Sequence, residues 1–203
     1  MTNLNAQYRL LRKDPILKKV IGITGKLEET THKDVYRSLL QSITSKQLST
    51  KAGDTIFGRF LDLFPQRNPI PEQVMKMNIE KMRTAGLSYA KAGYLKNIAE
   101  FDCTHGLEYR KLKTLADDEL MEYLTSIKGV GRWTAEMILM FTLNRPDILP
   151  VDDIGIRNEM RHLYYIKGEG KIFIENMKLV AETWSRYRTL ASRHIWKYRD
   201  SSK

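Results

Sequence analysis

Cysteine is nearly absent from this chain: among 203 residues only Cys103 carries a thiol. One thiol cannot close an internal disulfide, and it cannot furnish a four-cysteine zinc or iron–sulfur site. The four histidines, His32, His105, His162 and His194, are scattered, and no pair has a metal-ligand spacing. Long apolar runs are missing as well, since none approaches the roughly 18 residues that a membrane-spanning helix needs. The start, Met1 to Asp14, is polar and lacks the apolar core of a signal peptide. No repeat and no low-complexity segment interrupts the chain. These absences exclude a disulfide scaffold and a membrane-spanning helix, and no membrane partner is expected. They fit a reducing compartment: cytoplasm, associated with the nucleoid, in a bacterium, or the nucleus in a eukaryote.

Positive charge is what the chain has in surplus. Lys and Arg number 34 against 24 Asp and Glu, a net charge of +10. A surplus of that size favours a polyanionic partner. With 42% hydrophobic residues the chain can bury one core, so a single globular domain over 1–203 is expected. Apolar residues recur at helical steps along most of its length. From Val35 to Phe64 the series Val35, Leu39, Leu40, Ile43, Leu48, Ala52, Ile56, Phe60 and Leu63 predicts helix up to the Pro65–Pro71 break. Pro71 suits the first turn of a helix through Lys81, and Ser88 can cap another from Tyr89 to Phe101. Further helices are predicted over Asp117–Ile127, Trp133–Leu143, Asp153–Tyr164, Lys171–Thr183 and Tyr187–Tyr198. Ile16–Ile23 is ambiguous between loop and helix. The predicted class is all-α.

The segment from Thr125 to Ala135 is the most informative stretch. Gly129 and Gly131 flank one apolar residue, Val130, between two helices. The glycines let the backbone turn tightly and remove side chains, so that a bulky anion can approach. Amides of the turn and of the next helix start can then meet a phosphate, aided by the helix dipole. Lys128 and Arg132 add positive charge on either side. Contacts of this kind position a duplex without reading its sequence. The plainer alternative is a helix–turn–helix corner with Gly129 as a C-cap. A monovalent cation held by the backbone carbonyls is compatible with such a turn.

Downstream stands Pro150-Val151-Asp152-Asp153-Ile154-Gly155-Ile156-Arg157. Two carboxylates at a helix start can simply cap the helix and favour its dipole. They can also do chemistry. Cleaving an N-glycosidic bond builds positive charge on the sugar, and one carboxylate beside C1′ stabilises it and orients or deprotonates the attacking water. No metal is required for that. The residues alone do not choose between Asp152 and Asp153.

Taken together, Ile127–Ala135 and Pro150–Asp153 resemble the helix-hairpin-helix DNA glycosylase superfamily, and within it the 3-methyladenine DNA glycosylase II branch. Three further segments add to the likeness. Ser42–Ser49 is similar to the branch's minor-groove loop, Ala85–Lys91 to another family segment, and Trp184–Arg188 with Trp196 to its C-terminal signature. The helical core begins almost at once, as in a short form without the β-rich N-terminal domain of longer members. The resemblance implies two helical lobes with a cleft between them, approximately 36–146, which contains the hairpin 117–143, and 1–35 with 147–203.

It also assigns residues. Asp153 lies 22 residues after Gly131, the branch's spacing for the catalytic Asp, which leaves Asp152 a supporting or capping role. Trp133 stands where bifunctional members carry a Schiff-base lysine, so the implied enzyme is monofunctional, uses water and leaves an abasic site. Trp133 and Trp196 are implied to line the pocket for a cationic alkylbase, with Met137 where some members have an aromatic residue. Gln47 or Leu48, followed by Ser49, would form the wedge that fills the gap left by a flipped nucleotide. The hairpin residues Lys128, Gly129, Val130, Gly131 and Arg132 would hold the DNA. The implied partner is damaged double-stranded DNA, bound by a monomer, with no cofactor required. A bifunctional glycosylase/lyase for oxidised bases, through Lys128 or Lys91, and a DNA-binding module without catalysis are the alternatives. Lesion range among 3-methyladenine, 7-methylguanine, hypoxanthine and ethenoadenine depends on pocket shape. Trp184 is expected in the core, and Arg188 to pair with an acidic helix end or a phosphate.

Overall fold

The computed structural model describes residues 4–28 and 32–201. Among the described residues every regular element is helical, in keeping with the all-α expectation. The chain opens with α1 (Leu4–Leu11) and α2 (Pro15–Thr24). Then come α3 (Val35–Ser45), α4 (Thr50–Leu61), α5 (Pro71–Lys76), α6 (Ile79–Thr84), α7 (Tyr89–His105), α8 (Tyr109–Leu112), α9 (Asp117–Thr125) and α10 (Arg132–Met137). It closes with α11 (Ile154–Tyr164), α12 (Gly170–Ala181) and α13 (Arg188–Ser201). The chain forms two compact units: Met1–Thr30 with Asn144–Lys203, and Thr31–Leu143.

Local signals explain where the helices depart from the simplest periodic reading. The ambiguous Ile16–Ile23 run is helix because Asp14 caps it and Pro15 occupies its first turn; Asp14 Oδ1 accepts from the amides of Ile16 and Leu17 at 2.8 and 3.0 Å. The apolar series from Val35 to Phe64 is two helices, not one. It breaks at Lys46–Ser49, where Gln47 is left-handed at φ 63° and Ser49 Oγ caps α4 by accepting from Ala52 N. Leu48, which fitted the periodicity, is therefore exposed. The helix expected over 71–81 is also two, divided where Asn78 caps α6. Ser88 caps α7 as expected, but that helix runs past Phe101 until Gly106, at φ 83°, ends it. After α10 the chain widens into a π turn over Ile138–Thr142, with Leu143 N donating to Ile138 O at 3.0 Å.

In the Thr31–Leu143 unit, α7 is the centre against which α3, α5 and α6 pack, and α3 also packs on α4 and α10. Leu39, Leu40, Phe60, Leu95 and Ile98 are fully buried there. In the other unit α13 packs on α2 and α11, around Leu11, Ile156, Phe173, Trp184 and Ile195. Each such side chain contributes about 1.5–3 kcal/mol by leaving water. Trp184 is core, as expected, and its indole N–H is not wasted: it donates to Asp14 Oδ2 at 2.9 Å, as does the Tyr164 hydroxyl. One carboxylate thus caps α2 and ties it to two other segments of the unit. Burial and the Asp14 charge push the Tyr164 phenol well above its ordinary range.

Candidate active site

Asp153 is the N-cap of α11. Its Oδ1 accepts from Ile156 N at 2.8 Å and from Trp196 Nε1 at 2.9 Å. The first bond is dictated locally, because an Asp before a helix reaches the third amide of its first turn. The second is tertiary, since α13 carries Trp196 across α11. Two donors on one oxygen fix the carboxylate's plane. Capping and chemistry were alternatives for the acidic pair; here the capping residue and the candidate catalytic residue are the same one. Asp152 does not take the capping role and stands exposed beside it. Gly155 leaves room for its neighbour: a Cβ there would overlap Arg199 Nη1 and lie 3.1 Å from Asp153 Oδ1. A guanidinium therefore packs on the helix start next to the carboxylate, with its Nε and Nη2 turned to Asp200 Oδ1.

Trp196, expected as pocket lining, is half-buried and serves Asp153 through its indole N–H. Trp133, at the start of α10, and Met137, one turn later, are half-buried in the other unit. In the same unit Tyr36 is buried with its phenol pushed far up by desolvation, and Tyr94 packs against the hairpin. Tyr89 is exposed, donates to Glu80, and carries the Arg83 guanidinium 3.9 Å above its ring. Arg188 pairs with Asp147 and Glu182, in keeping with the acidic of its two expected partners.

The hairpin has the geometry its glycines imply, with differences of detail. Gly129 sits at φ 105°, and a Cβ there would overlap the Tyr94 ring. The left-handed bend and the close approach both require glycine. Gly131 begins α10 with open space where a Cβ would be. Val130 is buried, and its N–H closes the turn onto Ile127 O at 2.9 Å, so neither its side chain nor its amide faces outward. Lys128 is exposed, and its carbonyl accepts from Asn97 Nδ2 at 3.0 Å. Arg132 Nε pairs with the buried Glu136 at 3.0 Å, which anchors the guanidinium's base on α10.

Gln47, Leu48 and Ser49 are all exposed in the α3–α4 loop. Lys91, from the first turn of α7, reaches beneath that loop and donates to Thr44 O at 2.7 Å and Lys46 O at 2.9 Å. Sequence reasoning placed Lys91 in a family segment without seeing this contact. Tyr94 and Asn97, which buttress the hairpin from the same helix, had no sequence signal at all.

The family model for HhH-GPD superfamily base excision DNA repair proteins matches residues 40–182. The chain belongs to that superfamily. It is 36% identical over 184 residues to DNA-3-methyladenine glycosylase 1 of Schizosaccharomyces pombe, covering 89% of this chain and 79% of that protein. Among solved structures it is similar to S. pombe 3-methyladenine DNA glycosylase Mag1 in complex with abasic DNA, with TM-score 0.83, 34% identity and 95% of each chain covered. It is also similar to a DNA-3-methyladenine glycosidase from Bacillus halodurans, with TM-score 0.79, 32% identity, and 95% and 88% of the two chains covered.

Proposed function

We propose that this protein is a monofunctional DNA glycosylase that hydrolyses the N-glycosidic bond of alkylated purines in damaged duplex DNA. The observation that carries the proposal is Asp153, a carboxylate fixed by the Ile156 amide and the Trp196 indole in a chain of the base-excision superfamily. An N-alkylated purine is cationic. When its bond to C1′ breaks, the electron pair goes to the base, which leaves neutral, and positive charge moves to the sugar. Asp153 stabilises that charge and takes a proton from the water whose oxygen bonds to C1′. The products are the free base and an abasic site.

The remaining roles follow the chemistry of each position. Trp133 offers an aromatic face to a cationic base and has no amine with which to form a Schiff base. Gln47 or Leu48 fills the stack behind the extruded nucleotide. Gly131 and the start of α10, with Lys128 beside them, meet the phosphate backbone. This route calls for no cofactor.

The test is base release from methylated duplex DNA by wild type and Asp153→Asn. The Asn oxygen can still accept from Ile156 N and Trp196 Nε1, so the cap survives and only the charge is lost. Base release should fall by at least about a hundredfold, and borohydride should trap no adduct with either protein. Equal activity of the two would overturn the assignment.

A further inference from the structure

The α3–α4 loop presents a physical problem that one side chain solves. At the end of α3 the last carbonyls have no partners within the helix. Ser42 O is met by Lys46 N and Ser45 O by Leu48 N. Thr44 O and Lys46 O are met by a single group, the Lys91 ammonium, from residues 47 and 45 positions away in sequence. Between those carbonyls and the exposed Leu48 the chain passes through Gln47, a non-glycine residue at φ 63°. That conformation is unfavourable for an L side chain and persists only where the surroundings hold it.

The surroundings hold it from two sides. On one, α4 lies so close to the end of α3 that a Cβ at Gly53 would come 2.7 Å from Ser45 Oγ. On the other is Lys91, in the first turn of α7, whose amide N–H donates to the capping Ser88 Oγ. A cation there is opposed by the positive end of its own helix dipole. Its ammonium is instead directed at the negative end of α3, where a lysine is favoured. Burial, and next the neighbouring Lys46 charge, hold its pKa below the ordinary lysine value, so the position has a cost for the charged form.

We propose that Lys91 is a positioning residue for lesion extrusion: by clamping Thr44 O and Lys46 O it holds the Gln47–Leu48 loop in the bent, outward form that enters the DNA stack. The proposal rests on the wedge role given to that loop above. It makes a different demand on Lys91 from the lyase alternative, which would need this amine as a nucleophile; here it never leaves the two carbonyls.

The experiment compares Lys91→Met, Lys91→Arg, Leu48→Ala and Gln47→Ala. Extrusion is read by the fluorescence of 2-aminopurine placed beside the lesion in a duplex. Binding to undamaged duplex is read by anisotropy, and the loop itself by the rate of tryptic cleavage after Lys46. Lys91→Met should extrude about tenfold less, bind undamaged duplex within about twofold of wild type, and be cut faster after Lys46. Lys91→Arg, which keeps a cation with several donors, should recover much of the extrusion. Should Lys91→Met fail to fold, Lys91→Gln, with a donor but no charge, gives the same readings. If the loop variants lose extrusion while Lys91→Met and Lys91→Gln extrude normally with an unchanged cleavage rate, the clamp is refuted and the wedge stands. If none of the variants loses extrusion, the wedge reading and the clamp fall together.

Discussion

Acid should destabilise this protein through one histidine. His194 is completely buried in the unit that carries Asp153, and its hydrogen bonds fix its protonation state. Thr24 Oγ1 spends its only proton on Val20 O at 2.9 Å, so at 2.7 Å it accepts from His194, whose Nδ1 must carry the hydrogen. Nε2 is then bare and accepts from the Tyr8 hydroxyl at 3.3 Å, and that hydroxyl in turn accepts from Leu27 N at 3.2 Å. The network closes around a neutral ring. Burial, followed by the charges of Arg193, Lys197 and Arg12, lowers the pKa from 6.5 to about 4. Between those values the unfolded chain binds a proton that the native chain refuses, so stability rises with pH through that window and is lost as pH falls. At about 1.4 kcal/mol per unit, the complete loss is about 3 kcal/mol, of which about 2 kcal/mol is gone by about pH 5, before most carboxylates protonate. That is a large part of the total stability of an ordinary domain. Urea unfolding followed by tryptophan fluorescence at about pH 8 and about pH 5 measures the loss, with His194→Gln as the uncharged control. If wild type and control lose the same stability, or if the imidazole titrates near 6.5 by NMR, the reasoning is refuted.

Three substitutions separate roles that the fold joins. Gly129→Ala places a side chain at φ 105° and against the Tyr94 ring, and urea titration should find it destabilised by on the order of 3 kcal/mol. Gly131→Ala, in open space, should lie within about 0.5 kcal/mol of wild type yet weaken duplex binding if the backbone approaches a phosphate there. Trp196→Phe keeps an aromatic ring but removes the donor to Asp153 Oδ1; single-turnover base release should slow by about tenfold or more with little change in thermal stability. Undiminished turnover by Trp196→Phe would show that the bond to Asp153 does not matter for base release.

What the sequence made legible was whatever is decided within a few residues. Asp14-Pro15, Asn78 and Gly106 are local start and stop signals, and each would have corrected a helix boundary that apolar periodicity alone misplaced. Periodicity failed at Lys46–Ser49 because Leu48 falls in phase with the core while the chain bends away from it. Gly129-Val130-Gly131 could be read because its glycines answer a backbone requirement, whatever lies nearby. Side chains whose partners lie far off in sequence could not be read this way. Lys91 looks like a solvated lysine on a first turn, Trp196 like a helix-face aromatic, and His194 like a titratable surface group. Their roles depend on partners 45 or 47, 43 and 170 residues distant.

The two aspartate–tryptophan pairs make the same point about function. Asp14 and Asp153 both cap a helix with the same backbone angles, and both accept from an indole N–H at 2.9 Å. Asp14 also takes the Tyr164 hydroxyl, and its tryptophan is wholly buried, so its charge is consumed in holding the core. Asp153 Oδ1 accepts from a half-buried tryptophan and from its own helix. Local sequence treats the two alike: an acid, then a helix. The structural role of Asp14 and the catalytic role proposed for Asp153 therefore differ in the tertiary partners that meet them, which local sequence does not carry. In this chain that difference is carried by which tryptophan each Asp meets.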